Sequence, residues 1–143
     1  MAVYTDIDDT ALAALLAEYD LGPPLAFKGI AEGVENSNFL LETPKGRYIL
    51  TVFEKRAKPA DLPFFLGLMA HLVEKGFPAP LPVPAKDGQP LRTLQGKPAV
   101  IITFLQGMSP RRPDVDQCRN LGAGLARFHR SLADFRMRRP NDL

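Results

Sequence analysis

The sequence predicts an α+β fold in which a five-stranded antiparallel sheet carries one packed helix, with a helix before it and a long helix after it. Three observations lead there. Short runs rich in β-branched and aromatic residues lie between glycine- and proline-bearing turns and read as strands. One apolar stripe at helical spacing interrupts those runs after the third of them. A second and longer stripe closes the chain, with apolar residues three and four apart over more than four turns.

Thr5 or Asp6 is expected to cap the first helix, with Asp8 and Asp9 in its first turn against the positive end of the helix dipole. Leu12, Leu15, Leu16 and Tyr19 give it one buried face, and Gly22-Pro23-Pro24 ends it. The first strand runs from Leu25 to Ile30 and the second from Ser37 to Glu42, across a small polar turn. Thr43-Pro44-Lys45-Gly46 has proline second and glycine fourth, which suits a β-turn. The third strand, Arg47 to Phe53, then puts Ile49, Thr51 and Phe53 on one face by its period of two.

A helix from Pro59 or Asp61 to Lys75, stopped by Gly76, carries the stripe Leu62, Phe65, Leu66, Met69, Leu72 and Val73, and the three-strand sheet is the surface available to cover it. The proline-rich run Pro78 to Pro84 lacks the backbone donors that a central strand needs, so it reads as an extended connector. Leu91 to Leu94 and Ala99 to Phe104 follow as the last two strands, joined by a turn at Gln95 to Pro98. After Gly107 and the Pro110 to Pro113 segment comes the closing helix, with Cys118, Leu121, Leu125, Phe128, Leu132 and Phe135 on its stripe. The expected division is a lobe of residues 1–106 and a remainder of residues 107–143.

At 143 residues with 45% hydrophobic and 24% charged content, the chain is long enough for one compact core and too apolar to be disordered. A formal net charge of +2 gives no footprint for nucleic acid or for an anionic membrane, and the arginines near the C-terminus suit the negative end of the last helix's dipole. One cysteine, Cys118, excludes an internal disulfide and a cysteine-rich metal site. With no signal-peptide pattern at Met1 to Asp6 and no membrane-spanning apolar run, the expectation is a soluble cytoplasmic protein.

The chemically suggestive stretch is Gly29 to Leu41, where two glycines and the polar cluster Asn36, Ser37 and Asn38 join two strands. Glycine lets a backbone turn come close to a ligand, and successive N–H groups in such a turn form an anion-binding nest. On the residues alone it is either an ordinary hairpin or a phosphate cover. His129, Glu32 and Glu35 have no neighbours in the sequence that would make them acid, base or ligand, and read as solvated.

The segments Lys28 to Leu41, Tyr48 to Arg56 and Asp61 to Met69 resemble the homoserine kinases of the aminoglycoside-phosphotransferase-like family, and Leu121 to His129 is similar to the helix that the wider family carries after its hinge. The resemblance implies the small lobe of a protein-kinase-like fold, with the first helix of the large lobe attached. It implies transfer of the γ-phosphoryl group of ATP to the hydroxyl of L-homoserine, with Mg2+ in the intact enzyme. On that resemblance the nucleotide-binding residues are Gly33, Asn36, Ser37 and Asn38 at the phosphates, Ile49 and Thr51 on strand three, and Thr103, Phe104 and Leu105 at the hinge. Thr51 stands where the wider family has a phosphate-holding cation, and the nearest cations, Lys55 and Arg56, lie beyond the strand.

The family's catalytic loop is a His-x-Asp-like motif with an asparagine further on, and its second aspartate binds magnesium. Neither is found here, and Asp134-Phe135-Arg136 lacks the glycine of the magnesium motif. The expectation is therefore the N-terminal part of a homoserine kinase, inactive alone, whose unpartnered closing helix either self-associates or stays mobile. The other reading is a non-catalytic nucleotide-binding or interaction module, or part of another small-molecule kinase.

Overall fold

The computed structural model describes residues 5–31, 35–54 and 58–140. In chain order the elements are α1 (Asp9–Ala17), β1 (Ala26–Gly29), β2 (Asn36–Thr43), β3 (Gly46–Phe53), a 3₁₀ turn (Pro59–Asp61), α2 (Leu62–Glu74), β4 (Leu91–Leu94), β5 (Lys97–Thr103) and α3 (Val115–Ser131). All strand pairs are antiparallel, in one five-stranded sheet of order β1-β2-β3-β5-β4. The α+β fold and its five strands are as the sequence predicts. Pro82 bridges to Ile102 beside the end of β4, so the proline-rich connector extends the sheet edge, where a missing N–H costs least.

The cap of α1 differs from expectation. Asp8, not Thr5 or Asp6, has the extended cap conformation, and its carboxylate accepts from the Ala11 N–H at 2.7 Å. Thr5 is drawn elsewhere, as described below. Leu12, Leu15 and Leu16 of α1 then join Tyr19 and Leu21 against Phe39, Leu41, Leu50, Val52, Ala99 and Ile101, which all project from one face of the sheet.

The sheet's main core is thus made with α1, whereas the sequence offered only α2 as its cover. Val100 alternates to the opposite face of β5 and is 2% exposed. Among the described residues, the buried aliphatic side chains outside the α1 cluster, prolines aside, are Val100 and, on α2, Leu62, Leu66 and Leu72. Leu62, Leu66 and Leu72 of the expected α2 stripe are thus buried outside the α1 cluster. Phe65, from the same stripe, stays exposed.

Helix α2 ends in a Schellman arrangement: Gly76 has φ +70°, its N–H donates to Val73, and the Phe77 N–H reaches back to Leu72. A second stripe on α2, at Phe64, Gly67, His71 and Lys75, meets the C-terminal segment. Phe64 and His71 both contact the Phe135 ring, with centroids 5.5 and 5.2 Å away. Lys75 pairs with Asp134, and His71 Nε2 lies 2.9 Å from the Ser131 carbonyl and 3.1 Å from Asp134 Oδ1. Arg139 pairs with Asp61 at 2.9 Å and stands over the Phe65 ring.

The closing helix starts at a capping box in which Asp114 and Gln117 each accept the other's backbone N–H. Its stripe splits in two. Phe128, Leu132 and Phe135 are half-buried, while Cys118, Leu121 and Leu125 are exposed. Among the described residues, no helix is long and apolar enough to cross a membrane.

Candidate nucleotide site

Four of the sequence-predicted residues, Asn36, Asn38, Ile49 and Thr51, lie on the face of the sheet opposite α1. Strand β2 alternates so that Ser37, Phe39, Leu41 and Thr43 are buried and Asn36, Asn38, Leu40 and Glu42 stand half-open on the other side. The register sets Asn38 against Thr51, Leu40 against Ile49, and Ile49 in turn against Ile102 of β5. Asn36, Asn38, Thr51 and Ile49 therefore share one open face, running from the polar turn towards the end of β5. Gly33 and the cations Lys55 and Arg56 lie outside the described residues.

Hydrogen bonds fix both asparagines. The Thr51 hydroxyl donates to Asn38 Oδ1 at 2.8 Å, and the Glu54 N–H donates to Asn36 Oδ1 at 3.4 Å. Lys28, opposite Leu40 on the same face, is exposed and makes no ion pair among the described residues.

Ser37 is not brought to this face. Its side chain is 0% exposed on the α1 side, and its hydroxyl donates to Glu54 Oε1 at 2.7 Å. Glu54 also accepts from the Thr5 hydroxyl and from Lys97 Nζ, while the Thr5 N–H donates to Ser37 Oγ. Burial pushes the Glu54 carboxyl up, but the hydrogen bonds from Lys97, Thr5 and Ser37, with the charge of Lys97, outweigh it and hold the group below its ordinary value. Thr5 is held in this network, and Asp8 caps α1 instead.

At the other end of the face, the three hinge residues have different surroundings. The Thr103 side chain falls on the α1 side, paired with Tyr48, and its hydroxyl accepts from the Leu81 N–H. The Phe104 N–H is held by the Arg47 carbonyl at 3.2 Å. Leu105 is exposed and makes no hydrogen bond among the described residues, which leaves its backbone donor and acceptor open.

Sequence reasoning missed Ile102 and Leu40, which flank Ile49 on the open face. Alternation within each strand carries that signal only once the neighbours of β3 are known. For Mg2+ the residues do not fit. Among the described residues no three His, Cys, Asp or Glu side chains gather to hold a metal ion, and Asp134 is engaged with Lys75.

Over its full length the chain is 66% identical to a homoserine kinase of Hyphomonas neptunium and 62% identical to one of Phenylobacterium zucineum. Each alignment covers 100% of this chain and 44% of the relative, so the chain spans less than half the length of these curated relatives. Among solved structures it resembles a microcompartment-associated aminopropanol kinase, with a TM-score of 0.68 at 23% identity, covering 92% of this chain and 42% of that one. It also resembles the spectinomycin phosphotransferase APH(9)-Ia, solved in complex with ADP and spectinomycin, with a TM-score of 0.69 at 13% identity over 89% of this chain and 39% of that one. These two share the fold. Residues 26–143 match the phosphotransferase enzyme family, APH, and the chain belongs to that family.

Proposed function

We propose that the chain is the N-terminal part of an ATP-dependent homoserine kinase, which transfers the γ-phosphoryl group of ATP to the hydroxyl of L-homoserine in threonine biosynthesis. The observation that carries this reading is the 66% identity over all 143 residues to a relative named homoserine kinase. Residues 1–106 form its nucleotide-binding lobe, and residues 107–143 are the hinge exit and the first helix of the next lobe. Such an enzyme works in the cytoplasm.

Phosphoryl transfer is mainly positioning and charge stabilisation, so a small lobe contributes by holding the nucleotide. The turn at Gly33 covers the phosphates, with Asn36 and Asn38 at its exit. Ile49 meets the base, and Thr103 to Leu105 meet the base edge through backbone groups, of which those of Leu105 are open. Ser37 contributes from the opposite face, by anchoring the strand that carries the two asparagines. Mg2+ neutralises phosphate charge when bound in the intact enzyme, and no residue here is assigned to it.

A coupled assay of ADP release tests the reading. With ATP, Mg2+ and L-homoserine, the full-length protein is expected to turn over, and the 143-residue chain alone to give no homoserine-dependent rate, since these residues contain no His-x-Asp-like motif with a following asparagine. A full-length protein inert toward homoserine would reject the substrate. Gly33→Val in the full-length protein adds a Cβ where backbone approaches the phosphates, and is expected to raise the KM for ATP without unfolding the protein. An unchanged KM would reduce the turn to a hairpin.

A further inference from the structure

The covalent link between the sheet and α3 is loose. Residues 105–113 are exposed and make no hydrogen bond among the described residues. The hydrogen bonds, ion pairs and ring contacts that tie residues 107–140 to the earlier described residues all fall on residues 61–77, and none reaches a strand. From Ser131 to Arg139 the chain runs back along α2, whose length from Asp61 to Lys75 is about 20 Å at roughly 1.5 Å per residue. Lys75 meets Asp134, His71 meets Ser131, Asp134 and Phe135, Gly67 meets Met137, and Asp61 meets Arg139. An ion pair thus closes each end, and between them the Met137 sulfur fills the notch that the absent side chain of Gly67 leaves. The Asp61 and His71 side chains are each 16% exposed, so these contacts are partly shielded from solvent.

In protein kinases the helix that follows strand three is held by an ion pair from its glutamate to a lysine on that strand. This chain has neither member: Thr51 stands at the strand position, and α2 has no acidic residue from Leu62 to Val73. The charges at the two ends of α2, Asp61 and Lys75, are paired with Arg139 and Asp134 instead. We propose that residues 131–139 form a clasp that sets the position of α2 from the side of α3, in place of an ion pair to the sheet, so that α2 and α3 stay together as one body when the sheet moves against them. This rests on the reading of residues 1–106 and 107–143 as parts of two lobes, and it joins α2 mechanically to the second.

Amide exchange of the full-length protein, followed peptide by peptide in a mass spectrometer, tests the clasp. Asp134→Lys with Arg139→Glu reverses both charges of the strap and leaves the sequences of α2 and the sheet untouched. The amides of Leu62–Glu74 are expected to exchange roughly tenfold faster in this variant, the worth of two lost ion pairs and the repulsion that replaces them, while those of β2, β3 and β5 keep their wild-type rates. Adding Asp61→Arg and Lys75→Glu puts opposite charges across both pairs again and is expected to slow the exchange of α2. Should the reversed strap fail to fold, Met137→Ala, which empties the notch at Gly67, is read in the same way. Exchange of α2 equal to the wild type in the folded variant would overturn the inference. Acceleration shared equally by α2 and the strands would overturn it as well, because α2 would then belong with the sheet. The readout needs no turnover. A protein inert toward homoserine whose α2 is released by the variant would reject the substrate and keep the clasp, and an active one whose α2 ignores the strap would keep the substrate and reject the clasp.

Discussion

Glu54 shows how a single side chain can carry different weight in the sequence and in the fold. In the sequence it is one of three charged residues after a strand; in the structure its side chain is 12% exposed and receives hydrogen bonds from Thr5, Ser37 and Lys97. Its folded-state pKa is lowered, so the stability it adds is complete above the ordinary carboxylate value of 4.5 and is lost as pH falls through the lowered value. Urea melts across that range are expected to show falling stability on acidification, and Glu54→Gln is expected to flatten that part of the profile. A profile unchanged in the variant would place the acid sensitivity elsewhere. Lys97→Met leaves the carboxylate without its charged donor and is expected to cost about 1–3 kcal/mol at neutral pH. Thr5 and Ser37 were legible as polar residues, but the partner that joins them comes from strands distant in the sequence.

At the scale of elements, the ends of the helices can be read locally and their packing cannot. Gly76 is required by the positive φ that closes α2, so Gly76→Ala is expected to lower stability by about 1 kcal/mol, seen as a reduced Tm. Gly122, inside α3 with open space around it, is expected to behave in the opposite way. Gly122→Ala removes unfolded-state freedom without a clash and should stabilise by about 0.5–1 kcal/mol. Equal and same-signed shifts for the two variants would refute the backbone explanation. The second stripe of α2 escaped notice because Gly67, His71 and Lys75 are not apolar. Gly67 leaves room for Met137, whose sulfur lies 2.6 Å from where a Cβ would be, and His71 and Lys75 answer Ser131 and Asp134.

For the molecule as a whole, α3 leaves part of its apolar stripe exposed. Leu121 is 74% exposed and Leu125 is 54% exposed, a loss of several kcal/mol relative to burial at about 1.5–3 kcal/mol per side chain. The chain alone is expected to self-associate through this stretch, and Leu121→Asp with Leu125→Asp to shift it towards monomer in light scattering with the sheet intact. Leu132 is half-buried and accepts from the Phe135 N–H, so its replacement is unsuitable for that test. A monodisperse wild-type monomer with strong amide-exchange protection from Leu121 to Leu125 would refute the expectation.

By itself the sequence determined the α+β class, the five strands to within about two residues, the turn at Thr43 to Gly46 and the stop at Gly76, because these follow from interactions between residues close in the chain. The period of two also put Ile49 and Thr51 on one face, where the register sets Asn38 and Leu40 beside them. Only the tertiary structure decided that α1 covers the main face, that Ser37 belongs to a buried network, that Ile102 joins Ile49, and that the closing helix docks its last turns on α2. Each of those depends on which strand lies beside which and which helix reaches which face. Alternation within a strand assigns two sides, and only the packed neighbours say which side holds the core and which remains open to a ligand.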